Sequence, residues 1–354
     1  MRISGVGLTA GSFVLGADKS FGKSMQYKSK NWAWMHGNDK LTSSEWRERL
    51  TQLREAGFDA ILLQGAFENV IPVAQEVGIE VHAWLVSLLR NGDKQVQKEH
   101  PEWFMISRNG NSTLDKPPHV GYYKWLCPSR EAVHNYMLDK VDELLTYDGL
   151  AGIHLDYIRY PDVILPISLQ PKYDIVQDKE YPQYDFCYCD VCGSKFKEKY
   201  GVDPLEMKNP SQSEAWKQYR YDQVTTLVNK ISIKVHEHNR MLTAAVFPTP
   251  NIARTIVRQN WPDWDLDAVL PMMYNNFYHK DVKWIGKATR ECRHELPQTT
   301  PLYSGLFVPS LSAIQVAQAY EHAMENGAGG ICLFTDDAMS EEHWENIRRV
   351  IMRG

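Results

Sequence analysis

A (β/α)8 barrel of the α/β class is the fold this sequence predicts, and three observations point to it. Eight short apolar runs recur along the chain, at 32–36, 60–64, 80–85, 150–157, 242–247, 268–274, 301–307 and 330–335. Each is near-continuously apolar, as a parallel strand covered on both faces must be. Amphipathic stretches with the helical period separate them. The Gly-rich phosphate turn that often marks a doubly wound sheet, the alternative α/β architecture, is absent from the sequence.

The first strand carries Trp34 and ends on His36. Thr42 and Glu45 then have capping-box spacing, and Trp46, Leu50 and Leu53 follow at helical intervals. The second strand ends on Gln64, and the third carries Trp84. Val133, Met137, Val141 and Leu144 form the stripe of the helix that precedes the fourth strand. The segment 211–214 caps a long helix running through Val224, Leu227, Val228 and Ile231. After the fifth to seventh strands, Ile314, Ala317, Tyr320 and Met324 mark another helix, and Gly327 suits its C-terminal end. Ser340 opens the last helix, with Glu341 and Glu342 near the positive end of its dipole. These units read as one barrel domain over residues 30–354. Two connections are long, 86–130 and 158–210, and the second holds a Cys-containing insertion at 160–210. Both follow strands, so both belong to the C-terminal face, where barrels build active sites.

The 354 residues are 43% hydrophobic and 23% charged, which excludes a disordered or fibrous chain. No run of 18 apolar residues occurs, so no membrane span is expected. The net charge of −5 gives no electrostatic reason to bind nucleic acid or an anionic membrane. Eleven Trp and 18 Tyr exceed what a core needs and suit stacking on sugar rings. Residues 3–17 form a mildly apolar, Gly-rich run behind Arg2. It resembles the back half of a twin-arginine export signal, which implies a periplasmic or extracellular protein. The other reading of residues 1–25 is a disordered or strand-like tail on a cytoplasmic protein.

The fourth strand is the most informative. In Gly152-Ile153-His154-Leu155-Asp156-Tyr157-Ile158-Arg159-Tyr160-Pro161, side chains alternate faces. Ile153, Leu155 and Tyr157 must meet the surrounding helices, so His154 and Asp156 point into the barrel. Asp156 lies at the strand's C-terminal end, where barrel enzymes place catalytic groups. Arg159 is the nearby cation expected to hold it ionised. This phrase resembles the hallmark of the family ten glycosyl-hydrolase-like barrel proteins. Pro128-Ser129, the run 141–148 and the segment 268–274 are further matches. The resemblance covers most of residues 30–354 and implies hydrolysis of a glycan. The function expected is therefore a glycoside hydrolase acting on a poly- or oligosaccharide, with no cofactor needed for catalysis. The alternatives are a non-catalytic carbohydrate-binding barrel and a metal-dependent hydrolase.

Glycosidases use two carboxyl groups. Asp156 is one; Asp336, just after the eighth strand, ranks first as its partner, ahead of Glu68, Asp162, Asp281 and Asp337. Sugar contacts are expected from His36, His154, Arg159, Tyr274, Asn275 and Trp125, with Trp34, Gln64 and Trp84 nearby. Trp125 with Tyr122 and Tyr123 makes a candidate stacking wall. In the insertion, Cys187, Cys189 and Cys192 form a C-x-C-x2-C group that suits a metal better than strained adjacent disulfides. Cys127 in the other long loop supplies a fourth ligand for a structural zinc. The spacing resembles the four-Cys zinc site of some barrel β-galactosidases. Plain reduced thiols and a disulfide remain the other readings. Cys292 and Cys332 read as buried thiols.

Overall fold

The structure, a computed structural model, describes residues 29–353; the segment read as an export signal lies outside them. Eight parallel strands form the barrel: β1 (Trp32–His36), β2 (Ala60–Gln64), β3 (Glu80–Val86), β4 (Gly152–Asp156), β5 (Met241–Val246), β6 (Ala268–Pro271), β7 (Ser304–Phe307) and β8 (Ile331–Phe334). Ten α-helices follow the strands among the described residues: α1 (Ser43–Glu55), α2 (Phe67–Val77), α3 (Lys94–Glu99), α4 (Glu131–Leu145), α5 (Asp190–Tyr200), α6 (Glu214–Glu237), α7 (Pro250–Val257), α8 (Lys283–Glu295), α9 (Ala313–Glu325) and α10 (Glu341–Ile351).

The caps are those that the sequence marks. Thr42 accepts from the Glu45 amide while Glu45 reaches back to Thr42. Ser340 caps α10. Within the segment 211–214 the cap of α6 is Ser213, which follows a 3-10 turn at Pro210–Gln212. Ile314 is exposed, and α9 buries Val316, Ala317, Ala319, Tyr320 and Ala323 instead. The insertion after β4 is not all loop; it carries α5.

The ladder runs β6-β5-β4-β3-β2-β1-β8-β7. Between β7 and β6 only isolated bridges remain, Val269 to Leu302 and Met272 to Gly305. The ring is therefore nearly closed, with one weak seam. Gly305 lies on it: a Cβ there would come within 3.0 Å of the Pro271 carbonyl and 3.2 Å of the Trp34 ring.

The strands alternate between two cores. Outward side chains meet the helices in one large cluster. Inward side chains, among them Trp32, Trp34, Leu62, Trp84, Leu270 and Tyr303, fill the barrel. Among the described residues the barrel interior is thus filled, and a cavity is left at its C-terminal mouth.

Candidate active site

A cavity of about 460 Å³ opens at the mouth. Strand register sets its floor. His36 on β1 pairs with Gln64 on β2, and their side chains meet across the ladder at 3.0 Å, Nδ1 to Oε1. Because the amide oxygen only accepts, His36 donates from Nδ1 and keeps Nε2 for a ligand. Trp34, Trp84 and Phe334 complete the floor, with ring centroids 6.0–6.2 Å apart about Phe334. One wall is Tyr274, Phe277 and Phe307, in mutual contact at 5.2–5.5 Å. The facing wall comes from the two long loops: Tyr122 and Tyr123 from the β3 loop, Leu165, Leu169 and Tyr173 from the β4 loop. Tyr122 is 45% exposed at the rim. So apolar a lining with few polar groups suits the flat faces of sugar rings.

Asp156 sits at the bottom. Trp84 Nε1 donates to its Oδ2 at 3.0 Å, and the Tyr157 amide to its Oδ1 at 2.7 Å. Burial nevertheless dominates and raises this carboxyl above the ordinary aspartate range, with the two hydrogen bonds and the Arg159 charge opposing. The amide is available because the chain leaves the strand in a left-handed turn, with Tyr157 at φ 51°. That turn corrects the sequence reading of Tyr157. Continuing the pleat would face it to the helices, whereas it lines the cavity.

Arg159 does not pair with Asp156. Its guanidinium is clamped between Trp125 and Phe247, each 4.8 Å from the ring centroid, and donates to Asp162 Oδ2 at 3.0 Å. Arg159 and Asp162 are both buried and both line the cavity. Among the described residues, Asp156 and Asp162 are the carboxyl groups of the lining.

The remaining expectations divide. His36, Gln64, Trp34, Trp84, Tyr274, Tyr122 and Tyr123 reach the cavity as read from strand ends and loops. Four residues need correction. Asp336 turns away from the mouth and accepts two hydrogen bonds from Arg49 of α1, one of them at 2.6 Å. His154 points inward but is wholly buried beneath the floor. Its Nε2 accepts from Trp34 Nε1 at 3.1 Å, so Nδ1 carries the proton and donates to Thr243 Oγ1 at 2.9 Å. Burial holds it well below the ordinary histidine range, hence neutral. Asn275 spends its amide on the Lys280 carbonyl at 2.8 Å, closing its own turn. Trp125 is fully buried and supports Arg159 rather than a sugar. Glu68, Asp281 and Asp337 are exposed and stand outside the lining.

Sequence reasoning missed Phe307 and Phe334, although both end strands. It also missed Leu165, Leu169 and Tyr173 of the insertion, for which periodicity offers no signal.

The four thiols Cys127, Cys187, Cys189 and Cys192 come together, all buried, with sulfurs within 4.8 Å of one another. Such a group could hold a metal. Cys127 Sγ stands 3.7 Å from Cys189 Sγ and 3.5 Å from Cys192 Sγ, and all are free thiols, so no disulfide forms here.

A family model described as Glycosyl hydrolase-like 10 matches residues 43–322. No curated protein matches the chain. Solved structures similar to it include the catalytic domain of β-amylase from Paenibacillus polymyxa, with TM-score 0.60 and 10% identity over 92% of this chain and 98% of that one. A chitinase from Chromobacterium violaceum ATCC 12472 is similar at TM-score 0.51 and 9% identity, over 92% of this chain and 99% of the other. A GH36 α-galactosidase from Geobacillus stearothermophilus gives TM-score 0.53 and 9% identity over 93% of this chain, which spans 42% of that protein. At such identities the likeness is one of barrel fold.

Proposed function

Because this chain belongs to the Glycosyl hydrolase-like 10 family, we propose that it is a glycoside hydrolase that cleaves a poly- or oligosaccharide with Asp156 as its proton donor. The observation that carries the reading is a carboxyl raised by burial at the floor of an aromatic-walled cavity. A protonated acid there is what a departing glycosidic oxygen requires. The proton passes from Asp156 to that oxygen as the anomeric carbon–oxygen bond breaks; a water oxygen then bonds to the carbon and gives its proton to a carboxylate of the site, which leaves the net proton count unchanged. Asp162, ion-paired with Arg159, replaces Asp336 as the candidate second carboxyl, since it shares the lining. His36 and Gln64 offer polar contacts to ring hydroxyls, and Tyr122 and Tyr274 offer stacking faces.

One observation favours a second reading, a carbohydrate-binding barrel without catalysis. Asp162 is already committed to Arg159. A single experiment separates the two. Glycans are screened for cleavage by the wild type, Asp156→Asn and Asp336→Asn, with binding followed by tryptophan fluorescence. Under the proposal, Asp156→Asn lowers kcat by about 10³ or more while binding persists, and Asp336→Asn stays within about tenfold of wild type. Binding without cleavage by the wild type supports the second reading. Cleavage by Asp156→Asn within tenfold of wild type removes the role assigned to Asp156.

The thiol cluster we assign as a structural zinc site, on the chemistry of four converging cysteine sulfurs. Export to the periplasm or beyond, the expectation carried by residues 1–25, is likewise a proposal.

A further inference from the structure

We infer that the four-thiol site is a metal clip that fixes the loop-built wall of the cavity, so that metal binding and ligand-site geometry are coupled. The inference rests on the zinc assignment above and is independent of any glycan.

The donor set suits zinc. Tetrahedral ligands at a Zn–S distance of about 2.3 Å lie about 3.8 Å apart. The sulfur separations of 3.5 and 3.7 Å at Cys127 are close to that edge, and all four sulfurs lie within 4.8 Å of one another, so small side-chain shifts complete a tetrahedron. The surroundings suit a thiolate site as well. The Ile106 amide donates to Cys187 Sγ at 3.4 Å, and Ser129 Oγ stands 3.2 Å from Cys192 Sγ. Arg130, beside Cys189, supplies compensating positive charge. Hydrogen bonds and cations around the sulfurs orient ligands and offset the net negative charge of a zinc tetrathiolate.

The position of the ligands gives the site its role. Cys127 belongs to the connection between β3 and α4, and the other three to the connection between β4 and α6. The cluster therefore joins two loops that are far apart in sequence. From Cys127 the link to the cavity is short. Trp125, two residues before it, carries the Arg159 guanidinium on its face, and Arg159 holds Asp162 in the lining. From the other side, Phe186 bridges to Ser107, and the Tyr188 amide donates to the Ile106 carbonyl at 2.8 Å. Nearer the mouth His119 repeats the connection, with Nε2 donating to the Asp162 carbonyl at 2.7 Å and its ring stacked on Tyr184 at 4.3 Å. The β4 loop also has anchors of its own on the barrel, among them Val163 N to the Ile256 carbonyl at 2.8 Å and Arg220 to the Phe186 carbonyl at 3.1 Å, so the thiols are the tie between the two loops rather than the tie of either loop to the barrel. A crosslink between loops removes their freedom, as a closed loop does.

The test uses the full chain, purified without chelator, and hydrogen–deuterium exchange rather than turnover. Elemental analysis should give about one zinc per chain. Removing zinc with a strong chelator, or substituting Cys127→Ser, should raise exchange at least tenfold in both 104–126 and 158–188, including the wall at 119–123. The strands β1 to β8 should keep their protection, and zinc returned to the stripped wild type should restore the loops. Because stripping acts on protein already folded, it answers even if the variant fails to fold. Faster exchange confined to 185–195 would overturn the clip while leaving zinc in place. Loss of protection across the barrel would overturn it too, by making the metal a condition of the whole fold. Protein without zinc would overturn it through the zinc assignment, with the glycosidase reading untouched.

Discussion

Asp156 sits where the surroundings work against its ionisation. Burial is the largest influence and raises its carboxyl, while the Tyr157 amide, the Trp84 indole and the Arg159 charge pull the other way. A carboxyl raised in the folded state gives up its proton later than the same group in the unfolded chain. Folded stability therefore falls as pH rises from the ordinary aspartate range towards the raised value. Asp156→Asn has no such proton to lose. The melting temperature of the variant minus that of the wild type should accordingly increase between about pH 4 and pH 7, measured by calorimetry. A difference that stays flat would mean that Asp156 is not desolvated. At this scale the sequence was a good guide wherever the backbone stayed extended. Pleat parity placed Asp156 at the mouth, and position on the strands placed Trp34, His36 and Trp84 there. Parity failed at Tyr157, where a positive φ reverses the side chain one residue after the strand ends. Position failed at Asp336, just after the eighth strand, because its cation, Arg49, is 287 residues away and leaves no trace in the local pattern.

Among elements, the two long loops do most to shape the site. Their lengths were plain from the spacing of apolar runs, but their contacts were not, since Ser107 and Phe186 meet through an isolated bridge. Helix α5 escaped notice for a related reason: of its residues only Cys192 and Phe196 are buried, too few to make a stripe. The β4 loop is held to the barrel by charges as well as by thiols. Arg220 donates to Asp185 and to the Phe186 carbonyl, and Arg258 pairs with Glu180. Closest to the cavity is the Arg159–Asp162 pair, in which both side chains are almost entirely buried. Truncating one member of a buried pair strands the other, at a cost of about 3–5 kcal/mol. Arg159→Met keeps the stem between Trp125 and Phe247 but removes the charge. It should lose about that much stability by urea denaturation. A loss below about 1 kcal/mol would show that Asp162 finds another partner or takes up a proton.

Across the whole molecule, eight strand–helix units close on themselves with one weak joint. Both the strand count and the order follow from the eight apolar runs, and each strand falls within two or three residues of its run. What periodicity does not encode is the quality of each junction, which depends on how neighbouring backbones meet. The β6–β7 junction keeps two isolated bridges where β3 and β4 keep five paired positions. Gly305 lets the backbones there approach, and Gly305→Ala would push against the Pro271 carbonyl and the Trp34 ring. Overpacking of this kind costs about 1–3 kcal/mol. The variant should melt earlier and show an altered tryptophan spectrum; an unchanged melting temperature would mean that the joint gives way freely.

That joint also divides the mouth into unequal halves. Tyr274 follows β6 and Phe307 ends β7, the two strands that flank it, whereas Tyr122 and Tyr173 rise from loops fastened to each other. A hoop cut at one point changes its girth there and nowhere else. The cavity has, in that sense, an anvil and a jaw: ligands of different thickness would be met by movement of the Tyr274 side, while the opposite face keeps its shape.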